Sequence, residues 1–500
     1  MSGRDWQKYF WRNTFTNYLR TVLRMVSGFV LFRLTYQHLS REAFGFYSLL
    51  WSLFGYTILL DFGLGFTAQK AVAEKTAHGR IGELNHLICT IFWTFAFLGA
   101  VLLAGFSVAQ PWFLEWTKVS LSNREAFGLG YTIFFCAMAA AFPLGIFPEM
   151  LRGLQRLDLA NGVTIVSLLA NLALLAWGLL AGWPFHIIVL ISVASTVAPN
   201  FVALLLVFQR IPGLSLHPRH FRFSAIQGVL SFSLVAYLIT FTNLIMSRTD
   251  QAVISFTIGV GSIALYQAGY KAAEMFGLFS VQMQDALSPA AAQMNATRDE
   301  DGLRDLLIRS ERFTLFISVP LYGLCAVYLE PLIRILTGLK QLEPSTFWVG
   351  QSLLLATFSS LLTSSCSKRV LMMCGWERSL LKISLADAGI NLIASLLLVY
   401  RYGVLGVALG TMIPTIAIGW IWIVPLTSRF LKMGLVEMGC AFVQQVWGPI
   451  LLALTVLALL CWLAPAPGNA NLPACAWRGI LVMGTLLLAG RPFLKSMRRR

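Results

Sequence analysis

Leu39-Ser-Arg-Glu-Ala-Phe-Gly-Phe-Tyr-Ser-Leu-Leu-Trp51 opens the stretch that decides the fold, which runs on to Lys75. It stays apolar for about a bilayer's thickness, breaks at Asp61-Phe62-Gly63-Leu64-Gly65, and gives way to a basic, polar run from Gln69 to Arg80. An acid in a membrane-length helix costs roughly 2.5–3.5 kcal/mol near mid-bilayer. The two glycines beside it loosen the helix where the chain leaves the membrane. A second copy runs from Gly259 through Ala264-Leu265-Tyr266-Gln267 to Pro289, with Tyr266 lying 219 residues after Tyr47. Leu84 and Leu87 match Leu303 and Leu306 at the same offset, and Asn171 matches Asn391 at 220. The chain is duplicated.

At 57% hydrophobic and 12% charged, the composition is that of a membrane protein, since charged residues approach a quarter of a soluble domain. The apolar runs are helical in length and lack the period-two alternation of barrel strands. They predict an all-α polytopic membrane protein with about fourteen transmembrane helices. These fall near 14–36, 43–65, 86–109, 127–147, 161–182, 185–208, 226–259, 262–287, 313–333, 347–366, 380–400, 404–426, 446–463 and 477–488. The eight cysteines form no CxxC pair, and the six histidines do not join them at ligand spacing, so no metal site or cofactor is expected. The N-terminus is polar, lacks a small-residue cleavage site and is expected to be retained.

Basic residues set the orientation. With the N-terminus inside, 26 of the 38 Lys and Arg fall in loops on one side, seven on the other and five inside spans. Both termini are therefore expected in the cytoplasm. That placement accounts for most of the net charge of +16 and argues against nucleic acid as a partner. Each half enters from the same side, which predicts two parallel six-helix repeats around a central cavity. The expected divisions are an N-terminal bundle at 1–208, a basic cytoplasmic linker at 209–224, a C-terminal bundle at 225–427, and two additional helices with a basic tail at 428–500.

The paired openings Gly45-Phe46-Tyr47-Ser48-Leu49 and Ala264-Leu265-Tyr266-Gln267-Ala268 resemble the signatures of the polysaccharide (oligosaccharide) flippase family of Wzx type. So do Leu60-Asp61-Phe62-Gly63-Leu64-Gly65 and Arg248-Thr249-Asp250. That superfamily also holds the multidrug efflux (MATE) antiporters and the lipid II flippase. The resemblance covers the twelve-helix core. It implies a MATE-like fold that moves undecaprenyl-pyrophosphate-linked oligosaccharide from the inner to the outer leaflet of a bacterial inner membrane. It also implies the lipid-linked glycan, membrane lipids, and a polysaccharide polymerase with other assembly proteins as partners.

Charge inside the spans carries the substrate argument. Arg20 and Arg24 are spaced i, i+4 on one face of the first span, and Arg24 is too deep to snorkel if that helix begins near Thr14. Lys271 sits at mid-depth in the eighth span with Glu274 at i+3, while Arg248 and Arg33 complete the set. Arg20, Arg24, Arg33, Arg248 and Lys271 are the candidate substrate-binding cations, because a pyrophosphate cannot cross hydrocarbon without groups to replace its water. The competing reading pairs them with Asp61, Asp250, Glu274 or Asp387, merely holding helices together. Those same four acids are candidates for gating or for coupling transport to H+ or Na+.

Other features take plainer readings. Pro143, Pro148, Pro320 and Pro414 mark kinks. Trp112, Trp116, Trp183 and Trp348 read as interfacial anchors, and Asn171 and Asn391 as cross-helix hydrogen-bonding residues. Asp299-Glu300-Asp301 has the DxD spacing of nucleotide-sugar transferases but stands in a short basic loop, where it reads as solvated surface. Two alternatives compete with a flippase. A MATE-type cation-coupled drug antiporter would favour acids where the first span carries arginines. A membrane enzyme of glycan assembly would need a catalytic set in a large outside loop, and the longest such loop, 110–126, has none.

Overall fold

The computed structural model describes residues 3–55, 64–154, 156–224, 234–284, 287–463 and 472–498. Among them every regular element is helical. Contacts divide the chain into two compact units, Met1–Tyr237 with Gly259–Gly261, and Leu238–Ile258 with Ser262–Arg500.

The N-terminal unit contains α1 (Gly3–His38), α2 (Arg41–Gly55), α3 (Leu64–Ala77), α4 (Ile81–Trp116), α5 (Arg124–Leu144), α6 (Ile146–Gly153), α7 (Leu157–Leu180) and α8 (Phe185–Arg210). Its buried core joins Leu84, Ile88 and Ile91 of α4 to Ile146, Phe147 and Met150 of α6 and Val207 of α8. Phe46 of the opening motif is fully buried against the rings of Phe113, Phe127 and Phe185. Gly45 beside it leaves no room for a side chain, because a Cβ there would stand 1.9 Å from the Val260 carbonyl oxygen.

At 36 residues, α4 is about 54 Å long, well beyond a hydrocarbon core of about 30 Å. One face of its first four turns binds the chain that follows α8. Asn85 donates to Gly213 O and accepts from Ser215 N at 2.9 and 3.1 Å. Trp93 Nε1 donates to Leu216 O at 2.9 Å, and the Arg222 amide donates to Thr90 Oγ1 at 2.9 Å. The stretch 213–222 is therefore fixed to this unit.

The C-terminal unit holds most of α9 (Leu234–Thr257), then α10 (Ile263–Gln284), α11 (Leu287–Ala296), α12 (Glu300–Val327), α13 (Leu329–Thr337), α14 (Pro344–Thr363), α15 (Ser365–Met373), α16 (Glu377–Tyr402) and α17 (Val404–Ile418). A π-helical turn at Gly419–Ile423 leads to α18 (Val424–Leu431), followed by α19 (Leu435–Val443), α20 (Trp447–Leu463), α21 (Leu472–Ala489) and α22 (Arg491–Arg498). Small residues bring helices together here, as lipid-embedded bundles require. A Cβ on Gly269 of α10 would meet the Gly350 amide nitrogen of α14 at 2.7 Å, and one on Gly410 of α17 would meet Ser395 of α16 at 2.5 Å. The added helices α20 and α21 pack Ile450, Val482 and Leu486 with Phe316 of α12.

Among the described residues a helix overlaps each of the fourteen expected spans, with different ends, while 56–63, 226–233 and 285–286 of three of them lie outside those residues. Among the described residues six helices are long and apolar enough to cross a membrane, or eight if each bent pair is one span. The bent pairs are α12 with α13, at 70°, and α19 with α20, at 65°. α1, with its arginines, is not among the six. Large apolar side chains such as Phe97, Trp177, Ile421 and Trp462 lie exposed. That is the outer surface of a protein solvated by lipid rather than water.

The proline expectations divide. α5 ends one residue after Pro143, and Pro148 lies in the first turn of α6, where a missing N–H is tolerated. α12 runs through Pro320 and bends only after Val327, so Pro320 does not break it. α17 likewise passes through Pro414 before the π turn. Asp299, in the DxD-spaced run, caps α12 by accepting the Gly302 amide at 2.8 Å.

Candidate functional site

α1 carries Arg20, Arg24 and Arg33. It begins at Gly3, earlier than the Thr14 used to judge Arg24's depth, which leaves that depth unfixed by the helix start. Arg24 and Arg33 are exposed on the unit, whereas Arg20 is half-buried. Arg20 lines a cavity of about 290 Å³ with Glu149 and Arg152 of α6, Thr164 of α7 and Asn200 of α8. Arg20 is close enough to Arg152 and Arg24 to be repelled by both. Arg152 pairs with Glu149, one turn earlier on the same face. The wall formed by α7 is braced where Asn161 Nδ2 donates to Thr16 Oγ1 at 3.2 Å and Arg156 grips Asp158 at 3.0 Å.

The acids and remaining cations stand in the C-terminal unit. Asp250 of α9 is 6% exposed. Its carboxylate accepts the hydroxyl of Tyr266 on α10, and Thr411 Oγ1 of α17 lies 3.1 and 3.3 Å from its two oxygens. The motif tyrosine therefore holds the acid of the Arg248-Thr249-Asp250 run. Arg248 is half-buried and within electrostatic reach of Tyr270. Lys271 Nζ donates to Glu274 at 2.6 Å, so these two offset each other locally.

Asp387 of α16 is buried and faces the charge of Lys368 on α15. One of its oxygens and the amide nitrogen of Asn391, one turn along, are buried without a hydrogen-bond partner. Unsatisfied groups of this kind are costly in a protein interior and call for a ligand, an ion or a water. Asp61 lies outside the described residues. No cluster of three or more His, Cys, Asp or Glu suited to a metal occurs among the described residues.

The structure thus brings Arg20 to Arg152, Asp250 to Tyr266 and Thr411, Lys271 to Glu274, and Asp387 to Lys368. Several of these partners are absent from the sequence reading. Arg152 and Lys368 fall outside the expected spans, yet each stands in a short helix that follows one, α6 and α15. Glu311 falls just outside the expected span 313–333, yet it is 1% exposed in α12, with Ser367 Oγ donating to it at 3.3 Å. The Glu149-x-x-Arg152 spacing was the available signal for the cavity.

A family model described as "Polysaccharide biosynthesis protein" matches residues 10–295, more than half of the chain. The chain belongs to that family. No curated protein matches it. Among solved structures, this polysaccharide biosynthesis protein is similar to one described as "Lipid II flippase MurJ, inward closed conformation". The TM-score is 0.71 at 16% identity, covering 97% of this chain and 99% of that one. A multidrug resistance MATE family transporter of the MOP superfamily, inward-facing, matches with a TM-score of 0.64 at 14% identity, over 83% and 96%. A MOP superfamily transporter from Pyrococcus furiosus, whose description reports reversed polarity of its binding pocket, matches at 0.53 and 14%, over 86% and 97%. At such identities the likeness shows the fold, which is that of MOP superfamily transporters. With several helices long and apolar enough to cross a membrane among the described residues, the chain is a multi-pass membrane protein with the fold those structures share.

Proposed function

We propose that this chain is a flippase for undecaprenyl-pyrophosphate-linked oligosaccharide, carrying it from the inner to the outer leaflet of a bacterial cytoplasmic membrane for O-antigen, exopolysaccharide or capsule assembly. The observation that carries the reading is the cationic character of α1. Arg20, Arg24 and Arg33 lie on one helix, and Arg20 stands near Arg152. Guanidinium groups suit phosphate oxygens, and holding several in or near hydrocarbon is costly without an anion to serve. A transporter for cationic drugs would gain nothing from them.

In this reading the bundles 1–208 and 225–427, joined by the linker 209–224, alternate their access, with 428–500 as an added element and both termini cytoplasmic. Arg24, Arg20, Arg33, Arg248 and Lys271 serve the phosphate-bearing headgroup, with Lys271 tuned by Glu274. The driving ion, H+ or Na+, acts through buried acids of the C-terminal unit. Asp250, with its two hydroxyl partners, and Asp387, with its unpaired oxygen, are the residues best suited to it. A polysaccharide polymerase would receive the product.

The test is complementation of a strain lacking the gene, following lipid-linked glycan on the outer leaflet. Wild-type protein restores it. Replacing Arg24 and Lys271 together with Gln, at normal protein levels, abolishes it. Unchanged export in the double variant would remove those two residues from the substrate path. Absence of any rescue by wild type, with drug efflux instead, would favour the antiporter.

A further inference from the structure

We infer that the recess where α19 meets α20 in the C-terminal unit holds an anionic phospholipid of the inner leaflet, its acyl chain against the apolar wall and its phosphate beside Arg312. Gln445 takes a left-handed φ of 73° at that junction, and the two helices are bent by 65° to one another. With α20 across the bilayer, α19 lies closer to the plane of its surface. The outward face of α19 is apolar, with Leu435, Val436 and Val443 exposed, Val436 by 81%. Met438 and Phe442 on its other face join the core. A helix that packs by one face and shows apolar side chains along a bilayer surface has the character of an interfacial helix. The recess beside it has a volume of about 830 Å³ and is lined by Met433, Cys440, Val443 and Trp447, within the range of about 300–1,000 Å³ typical of small-molecule sites. Its two longer polar side chains are already engaged. Glu437 pairs with Arg304 at 3.6 Å, and Gln444 Oε1 accepts from Arg312 Nη2 at 3.3 Å. What remains for a ligand there is mostly hydrocarbon contact.

Cations stand at the rim. Arg312 Nε donates to Ala441 O at 2.6 Å, which seats the guanidinium at the end of α19. Among the described residues no carboxylate pairs with it, because Asp305, which attracts it, is bonded to Arg309 at 2.7 Å. α22 adds two more charges. Its Phe493 is buried with the ring 5.3 Å from that of Phe316, in the cluster that includes Val446 and Ile450 at the start of α20. Arg491 and Lys495, one turn apart, are left exposed. No acid follows Glu437 in the chain, whereas six basic residues do. Each Lys or Arg at an anionic leaflet favours the contact by about fivefold, and a guanidinium suits phosphate oxygens. A zwitterionic lipid offers the same chain without the net charge. A second copy of this chain, meeting the patch by symmetry, would set the same cations against one another. The site requires the membrane and not the cargo, so it stands apart from the flippase reading.

The experiment uses Trp447, 60% exposed in the recess, as its probe. The full chain is placed in phosphatidylcholine nanodiscs with the same minor fraction of a chain-brominated lipid, either phosphatidylglycerol or phosphatidylcholine. The Trp447 signal is the difference in fluorescence between wild type and Trp447→Phe. Brominated phosphatidylglycerol should quench it as though enriched about tenfold or more over brominated phosphatidylcholine, and added salt should shrink the difference. Arg312→Gln, and separately Arg491→Gln combined with Lys495→Gln, should each lower the enrichment by about fivefold or more. The α22 pair leaves the hydrogen bonds to α19 intact, so the test survives if Arg312→Gln unseats that helix. Arg312→Lys should keep most of the enrichment, and Arg378→Gln, an exposed cation that does not line the recess, should keep all of it. Equal quenching by the two lipids in wild type overturns the inference. So does an enrichment that Arg378→Gln lowers as much as the other variants, which would be surface potential alone. Loss in Arg312→Lys as large as in Arg312→Gln, with no effect of the α22 pair, would mark Arg312 as a structural clamp and also overturn it. If neither brominated lipid reaches Trp447, the inference fails and the recess is left to a second copy.

Discussion

Tyr266→Phe removes one hydroxyl and leaves a buried ring in place. The ring is 2% exposed and stacks on Tyr270 with centroids 6.1 Å apart, so the substitution disturbs packing little. What it deletes is the donor to Asp250. The Thr411 hydroxyl, 3.1 and 3.3 Å from the two carboxylate oxygens, has one proton and can serve only one at a time. A hydrogen bond to a charged group contributes about 1.5–3 kcal/mol. Tyr266→Phe should therefore cost about 2 kcal/mol, a shift of roughly thirtyfold in the unfolding equilibrium. In an Asp250→Asn background the tyrosine faces a neutral amide, and its bond is worth about 1 kcal/mol. The double variant should thus be about 1 kcal/mol more stable than the sum of the single effects implies. Reversible unfolding in mixed micelles titrated with dodecyl sulfate, followed by far-ultraviolet circular dichroism, measures both quantities. A cost below about 0.5 kcal/mol for Tyr266→Phe, or the same cost in both backgrounds, would refute the linkage between the motif tyrosine and the acid.

Gly45→Ala places a Cβ 1.9 Å from the Val260 carbonyl oxygen, so backbone must move. It should cost more than about 3 kcal/mol and abolish monodisperse protein in size-exclusion profiles. Gly28→Ala, with nothing within 4 Å, should instead stabilise by about 0.5–1 kcal/mol. Thr90→Val leaves the Arg222 amide without its acceptor, so amide exchange across 213–222 should speed up about tenfold. Unchanged exchange would mean that this stretch is held some other way. Arg478 is 6% exposed, donates to Tyr328 Oη at 3.2 Å and lies 5.5 Å from the Trp477 ring. Arg478→Lys should fail to restore the stability lost in Arg478→Gln, about 2 kcal/mol, because lysine lacks the planar stack. Full recovery by lysine would show that charge alone is needed.

Hydropathy reports where lipid is, and among the described residues a helix overlaps every stretch it marked. It does not report where a helix ends. α4 was expected from His86 to Ala109 and runs from Ile81 to Trp116, because its polar ends stay helical beyond the hydrocarbon. The bend after Val327 falls where Pro331 cannot donate to the Val327 carbonyl, and the π turn opens on Gly419 and runs into Pro425; hydropathy weighs neither of these local signals. Lys271 with Glu274 was legible because i, i+3 spacing fixes a shared helix face. Asp250 with Tyr266 was not, although both residues had been singled out, because the pairing needs the angle between α9 and α10. Arg152 was missed because counting charges by loop assigns it to orientation, whereas α6 turns it back toward α1.

The flippase reading is tested most directly in proteoliposomes holding only the purified chain and a fluorescent undecaprenyl-pyrophosphate-linked oligosaccharide, with a membrane-impermeant quencher reporting the outer leaflet. Wild-type protein should bring the inner-leaflet probe within reach of the quencher, and Arg24→Gln should slow this by about tenfold or more through loss of a charge-assisted contact. No movement above protein-free vesicles, or equal rates for wild type and Arg24→Gln, would contradict the claim that this cationic helix carries an anionic glycolipid.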